Sequence, residues 1–301
     1  GREGMRLSSA LVPSAVCALS SSSSSPITST SNAVVKAAKE LRTRKGREAT
    51  GLVLLEGRRL IESAVDAGCH VETLVLRDDG TSSPRYEADR VVRASERVIR
   101  ACCDTSSPQG AVALARPPKL ATPKKADLVL VLDAVSDPGN VGALLRTAAA
   151  ASFDAAVAVG VETADPFSPK ALRAAAGATF RIPIARFPTF RDARRLLRDT
   201  WDLTVRVADR STEVDDSVPY HQVKDWSGTA IVVGAEVGLS PDLLALLDDD
   251  DAFSRVYIPI SDRVESLNAA VAGSALLLEA RRRIDEGKSS SRSRSRTNDQ
   301  Q

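Results

Sequence analysis

The sequence predicts an α/β protein in two units. The first is a small N-terminal α/β domain over residues 32–118, and the second a larger parallel-sheet domain over 127–284. Three observations predict this. From Asp127 onward, short apolar strands alternate with helical stretches, the pattern of a doubly wound parallel sheet. The strand DLVLVLD is continuously apolar, as a strand covered on both faces must be. Between the units, ARPPKLATPKKAD carries Pro117, Pro118, Pro123 and three lysines, a linker signature assigned to 119–126.

In the first unit, NAVVKAAKELRTRKGREAT reads as a helix with a basic face and GLVLLEG as a short strand. RRLIESAVDAG is an amphipathic helix ending at Gly68, and HVETLVLRD a second strand. DRVVRAS, ERVIRACC and GAVALAR read as strand, helix and strand. In the second unit the helices are NVGALLRTAAAAS, SPKALRAAAGA, FRDARRLLRDT, SPDLLALLDDD and SLNAAVAGSALLLEARRR. The strands are DLVLVLD, DAAVAVG, FRIPIARF, LTVRVAD, TAIVVG and RVYIPI. Pro169 and Pro241 each stand at the first position of a helix, where a missing N–H costs nothing.

The 301 residues carry 41 Lys+Arg and 39 Asp+Glu, a net charge of +2, so attraction to a polyanion must come from local clusters. No apolar run approaches the roughly 20 residues that span a bilayer. Aromatic residues are 4%, too few for a base-stacking platform. Two distant histidines, His70 and His221, and cysteines without C-x-x-C spacing point away from metal and histidine chemistry. No phosphate-binding glycine motif stands between a strand and a helix. The expectation is a site without metal.

The ends differ from the middle. Residues 1–31 hold eleven serines, two arginines and one acid, the composition of an organelle transit peptide or of a plain disordered segment. Residues 285–301 are polar and cationic and are expected to be a disordered basic tail. Lys36, Lys39, Arg42, Arg44, Lys45 and Arg47 form the densest basic cluster in a folded segment. They read either as an RNA-phosphate contact or as a solvated helix face.

Three strand-to-loop junctions carry unusual polar residues. In VLDAVSDPGNVGALLRTA, Asn140 opens a helix and Arg146 follows on it. An arginine among Ala and Leu faces a polar site or pairs with Asp133 or Asp137. In AIVVGAEVG, glycines flank Glu236 where a strand ends, so the backbone can approach a ligand closely or simply turn. In VYIPISDRVESLNAAVAG, Glu265, Ser266 and Asn268 crowd one helix mouth, and Ser266 reads as a competent N-cap.

In this order and spacing, the three junctions resemble the three motifs of the SpoU (TrmH-like) family of RNA 2′-O-ribose methyltransferases. LVLLEGRRLIESAVDAG and SSPQGAVALA are similar to the substrate-binding domain of its ribosomal-RNA branch. The resemblance covers residues 34–284. It implies a SPOUT domain with a C-terminal trefoil knot, a homodimer, and S-adenosylmethionine as cofactor. It also implies Arg146, Asn140, Glu236, Ser266 and Asn268 as catalytic residues, and Gly234, Ile258 and Leu267 around the cofactor. The sequence departs from the family in having only Val237 between Glu236 and Gly238. With residues 1–31, the expectation is an organellar ribosomal-RNA methyltransferase, in the chloroplast or alternatively the mitochondrion. The other readings are a tRNA 2′-O-ribose methyltransferase and a non-catalytic RNA-binding assembly factor.

Overall fold

The computed structural model describes residues 25–79, 86–209, 217–235 and 238–298. The first unit is α1 (Ala33–Glu40), α2 (Arg44–Thr50), β1 (Val53–Glu56), α3 (Arg58–Asp66), β2 (His70–Arg77), β3 (Arg90–Ala94), α4 (Glu96–Cys102) and β4 (Ala111–Arg116). Its four strands run in the order β1-β4-β2-β3, antiparallel except for β2 with β3.

One expected helix is two. Thr43 ends the first by donating its hydroxyl to Glu40 O, and starts the second by accepting from Gly46 N–H. The hydroxyl satisfies backbone groups that a continuous helix would have paired. At Gly46 a Cβ would lie 2.2 Å from the Glu40 carbonyl oxygen, so the sharp corner requires glycine.

The second unit contains β5 (Leu128–Asp133), α5 (Pro138–Ala150), β6 (Ala155–Val159), α6 (Pro169–Ala175), β7 (Ile184–Phe187) and α7 (Phe190–Arg194). It continues with β8 (Thr204–Ala208), β9 (Val218–Pro219), β10 (Thr229–Gly234), α8 (Pro241–Asp249), β11 (Phe253–Tyr257) and α9 (Ala269–Asn298). Its seven strands are all parallel, in the order β7-β6-β5-β10-β8-β11-β9. The continuous apolarity of β5 has the expected cause. Leu128, Leu130 and Leu132 pack against α5 and α9 on one face, while Val129 and Val131 pack towards α7 and α8 on the other.

The two units share a core. Leu172 and Phe180 of the second unit are buried among Val53, Leu55, Ile61 and Leu74 of the first. Two arginines tie the units together beside it. Arg47 donates to Asp165, and Arg173 to both Glu56 and Asp104.

The last helix does not end near residue 284. It continues to Asn298, through the segment expected to be a disordered tail. Ion pairs Arg281–Asp285 and Arg282–Glu286, each one turn apart, carry it past the packed part. Propagating an existing helix is far easier than starting one. Among the described residues, no helix is long and apolar enough to cross a membrane.

Burial pushes the thiols of Cys69 and Cys103 up to about 12 and that of Cys102 to about 11. Thiolate is the reactive form, so these three should resist a thiol reagent such as DTNB at pH 8 until the protein unfolds. Rapid native labelling at any of them, located by peptide mass spectrometry, would contradict the packing.

Candidate active site

The carboxyl ends of β5, β8, β10 and β11 form one edge of the parallel sheet, where ligands bind in open α/β folds. A cavity of about 210 Å³ opens there. Gly234, Ile258 and Leu267 line it together, with Ser266 beside them. These four residues come from the second and third junctions, so the fold joins what the sequence separates. Gly234 has a local reason: a Cβ there would lie 2.8 Å from Leu239 Cδ2.

The first and third junctions meet through a hydrogen bond. Asn268 Nδ2 donates to Asn140 Oδ1 at 3.1 Å. Asn268 Oδ1 also accepts from the N–H of Ala270 and Val271, which makes Asn268 the cap of α9. The expected cap, Ser266, lies two residues earlier and borders the cavity instead. Asn140 is held from the other side by Asp137, whose Oδ1 accepts from Asn140 N–H at 3.0 Å. Helices α5 and α9 cross closely. At Gly273 a Cβ would stand 2.5 Å from Leu144 Cδ2, and Thr147 Oγ1 lies 2.9 Å from Ser274 Oγ.

Arg146 stands on α5, about 9 Å along the helix axis from Asn140 at 1.5 Å per residue. It is exposed, and among the described residues it pairs with no carboxylate. The two acids that could have neutralised it are engaged elsewhere. Asp137 pairs with Lys170 at 2.6 Å, and that bond, then the Asn140 N–H, holds its carboxyl below the ordinary value. Asp133 is 1% exposed and accepts from Ser240 N–H at 2.9 Å. Glu236 lies outside the described residues.

Two carboxylates escaped the sequence reading. From sequence, Asp133 stands only as a possible partner of Arg146. It ties the loop between β10 and α8 to the end of β5, and burial pushes its carboxyl up against the pull of the Ser240 bonds. Asp209, just past β8, lines the cavity within 3.4 Å of Arg255 Nε. The available signal was positional: each acid closes an apolar strand, in DLVLVLD and LTVRVAD. The rest of the cavity wall is apolar or small, including Val233, Val256 and Leu276. Apolar walls with a few polar groups among them suit a ligand that is partly aromatic and partly polar.

The basic cluster of the first unit does not act as one surface. Arg47 is 6% exposed, bonded to Asp165 and to Leu41 O. Arg42 turns inward to the carbonyls of Ala101 and Cys103. Both are taken up by contacts within the protein and do not face an RNA backbone. Lys36, Lys39, Arg44 and Lys45 remain exposed, with Arg44 paired to Glu48 at 2.7 Å.

Residues 127–278 match the SpoU rRNA Methylase family, and residues 32–113 match the MRM3-like substrate binding domain. The chain belongs to the SpoU rRNA methylase family. Over 260 residues it is 35% identical to the 23S rRNA (guanosine(2553)-2′-O)-methyltransferase RlmP of Bacillus subtilis, covering 85% of this chain and 98% of that protein. Over 303 residues it is 31% identical to the mitochondrial rRNA methyltransferase 3A of Danio rerio, covering 84% and 69%. The crystal structure of the AdoMet-bound rRNA methyltransferase from Sinorhizobium meliloti matches with a TM-score of 0.70 at 30% identity, over 86% of this chain and 97% of that one. In this family member the three polar junctions, apart from the segment around Glu236, meet at one sheet edge.

Proposed function

We propose that this chain transfers a methyl group from S-adenosylmethionine to a ribose 2′-hydroxyl of ribosomal RNA in an organelle. The observation that carries the reading is the Asn140–Asn268 bond. It brings Arg146, which is exposed and among the described residues pairs with no carboxylate, and the cavity bounded by Gly234, Ile258 and Leu267 onto neighbouring elements. The rRNA 2′-O-methyltransferase name of the Bacillus relative supports the substrate class.

The cavity residues fit the cofactor by their chemistry. Val233, Val256, Ile258 and Leu267 offer apolar walls for an adenine ring, Gly234 allows close backbone approach, and Asp209 offers a carboxylate to hydroxyl or ammonium groups. S-adenosylmethionine supplies, when bound, a methyl carbon on a sulfonium. The protein's own task is to hold the hydroxyl in line with that carbon, for which orientation alone is worth several kcal/mol, up to about 11. Asn140, oriented by Asn268 and by the Asp137 cap, contacts the ribose. Arg146 grips the target phosphate and stabilises the developing alkoxide, since a guanidinium is always protonated and is no base. The proton leaves to phosphate or water. Ser266 and Glu236 complete the catalytic set.

Two finer statements belong to the same reading. We propose a homodimer built on the surface that begins at the third motif. Val264, Val271 and Leu278 expose between 52% and 57% of their surface along this segment, and exposed apolar side chains of this kind are the ones an interface covers. We also propose the C-terminal trefoil knot that the family likeness implies. The compartment we propose is the chloroplast, from the Ser-rich, acid-poor segment 1–31; the mitochondrial name of the zebrafish relative supports an organelle. Residues 1–31 fused to a fluorescent protein should enter plastids, and a diffuse signal would reject the reading.

The exposed lysines of the first unit supply part of the RNA attraction. Reversing Lys36, Lys39 and Lys45 to glutamate should weaken binding of an rRNA transcript and flatten its log–log salt dependence by about 0.7–0.9 per lost phosphate contact. Equal slopes for variant and wild type would mean that these lysines are only solvated. Incubating the full chain with rRNA and labelled cofactor tests the reading itself.

A further inference from the structure

A second cavity, of about 320 Å³, lies at the seam of the two units, and the methyl transfer described above makes no use of it. Three segments line it. The turn from β1 into α3 contributes Glu56, Gly57, Arg59 and Leu60; the loop before β4 contributes Thr105, Ser107 and Gln109; α6 and the residue that caps it contribute Arg173 and Ala176.

One carboxylate holds these walls together. The Glu56 side chain is 2% exposed and accepts from the N–H groups of Asp104 at 2.7 Å and Thr105 at 3.2 Å, and from Arg173 Nη1 at 2.9 Å. Three charge-assisted bonds satisfy it and fix the loop and α6 against the end of β1. Gly57 completes the frame. Its φ is +95°, a backbone conformation that favours glycine, and a Cβ there would push the Gln109 amide aside.

The remaining polar groups are unevenly committed. Arg173 is occupied by Glu56 and by Asp104 at 3.3 Å. Arg59 is exposed, and among the described residues it pairs with no carboxylate. The cavity therefore offers one guanidinium with five donors, an amide that both donates and accepts, and two hydroxyls, above the buried Leu60. Its volume is at the lower end of the roughly 300–1,000 Å³ typical of small-ligand pockets. That combination fits one anionic group joined to one flat, hydrogen-bonding ring. Single-stranded RNA is read in this way, by splaying a base out of the stack and bonding its edge.

The cavity also adjoins the active-site helix. Helix α6, which bears Arg173, packs directly on α5, which bears Asn140 and Arg146. A Cβ at Gly142 of α5 would stand 2.3 Å from Ala171 O of α6. One helix, α6, therefore touches both the seam cavity and the helix that bears Asn140 and Arg146.

We propose that the seam cavity receives one unstacked nucleotide of the RNA substrate, with Arg59 on its phosphate and Gln109, Thr105 and Ser107 along its base edge. The proposal rests on the methyl-transfer reading and names a substrate subsite within it.

The test uses the full chain and a large-subunit rRNA transcript carrying 4-thiouridine. In wild type, irradiation should crosslink the RNA to the 105–109 loop. Arg59→Gln should bind the transcript roughly tenfold more weakly, with a log–log salt slope shallower by about 0.7, while Arg59→Lys regains most of the affinity. Ser107→Trp, which fills the mouth from an exposed position, should weaken binding to a similar degree and abolish the crosslink. Cofactor affinity and melting temperature should be unchanged in all three. Wild-type methylation with no crosslink, or with unaltered affinity and slope in Arg59→Gln and Ser107→Trp, overturns the subsite alone. A wild type that neither binds nor methylates the transcript overturns the methyl-transfer reading, and the subsite with it.

Discussion

Arg146→Ala should lower kcat by at least about 10²–10³-fold, the usual cost of removing one group that stabilises developing negative charge. The affinity for S-adenosylmethionine, measured by calorimetry, should not change, because Arg146 does not line the cofactor cavity. Stability should also hold. The side chain is exposed and, among the described residues, pairs with no carboxylate, so its removal leaves no charge unpaired. Arg146→Lys retains a charge but loses the planar fork, and should recover only part of the rate. Wild-type turnover by the alanine variant on an rRNA substrate would remove Arg146 from the chemistry.

The largest effect on stability is expected from Arg47. Its side chain is 6% exposed and that of Asp165 10%, and they meet at 2.5 Å. Arg47→Met leaves the buried carboxylate with Arg186, 2.8 Å away, as its remaining cation. Breaking a buried pair from one side costs about 3–5 kcal/mol, and the surviving Arg186 contact points to the lower end, about 3. Urea denaturation should report that loss. The double variant Arg47→Met/Asp165→Leu should recover most of it, because neither charge is then stranded. Burial pushes the Asp165 carboxyl up, but the Arg47 hydrogen bond, the Phe167 N–H and the Arg47 and Arg186 charges outweigh it and hold it below the ordinary value. Its contribution is therefore complete above about pH 4, the ordinary aspartate range, and fades as the pH falls further. Stability in Arg47→Met should decline less steeply on the acid side. A single variant as stable as wild type would mean that the tie between the units carries no net energy.

The same arginine marks where sequence reading stops. RTRKGREAT reads as a run of cations, and nothing local separates Lys45, which faces water, from Arg47, which crosses to a residue 118 positions away. Burial of a cation is decided by a distant partner, which periodicity does not encode. The parallel sheet was legible because both faces of β5 are covered, and that shows directly as an unbroken apolar run. The meeting of Asn140 with Asn268, 128 residues apart, was legible only through likeness to a family. Asp133 and Asp209 were readable in principle, as acids closing apolar strands. The choice of Asn268 over Ser266 as the cap of α9 was not, since both are good caps and the cavity wall decides between them.

The most direct test of the central claim is the chemical position of the transferred methyl group. The full chain is incubated with an in vitro large-subunit rRNA transcript and methyl-labelled S-adenosylmethionine, and the RNA is hydrolysed in alkali. The account predicts that the label survives in an alkali-resistant dinucleotide, since a 2′-O-methyl group blocks cleavage at its own phosphate. Label recovered on a base in mononucleotides, or no transfer to any rRNA by a chain that binds the cofactor, would contradict it.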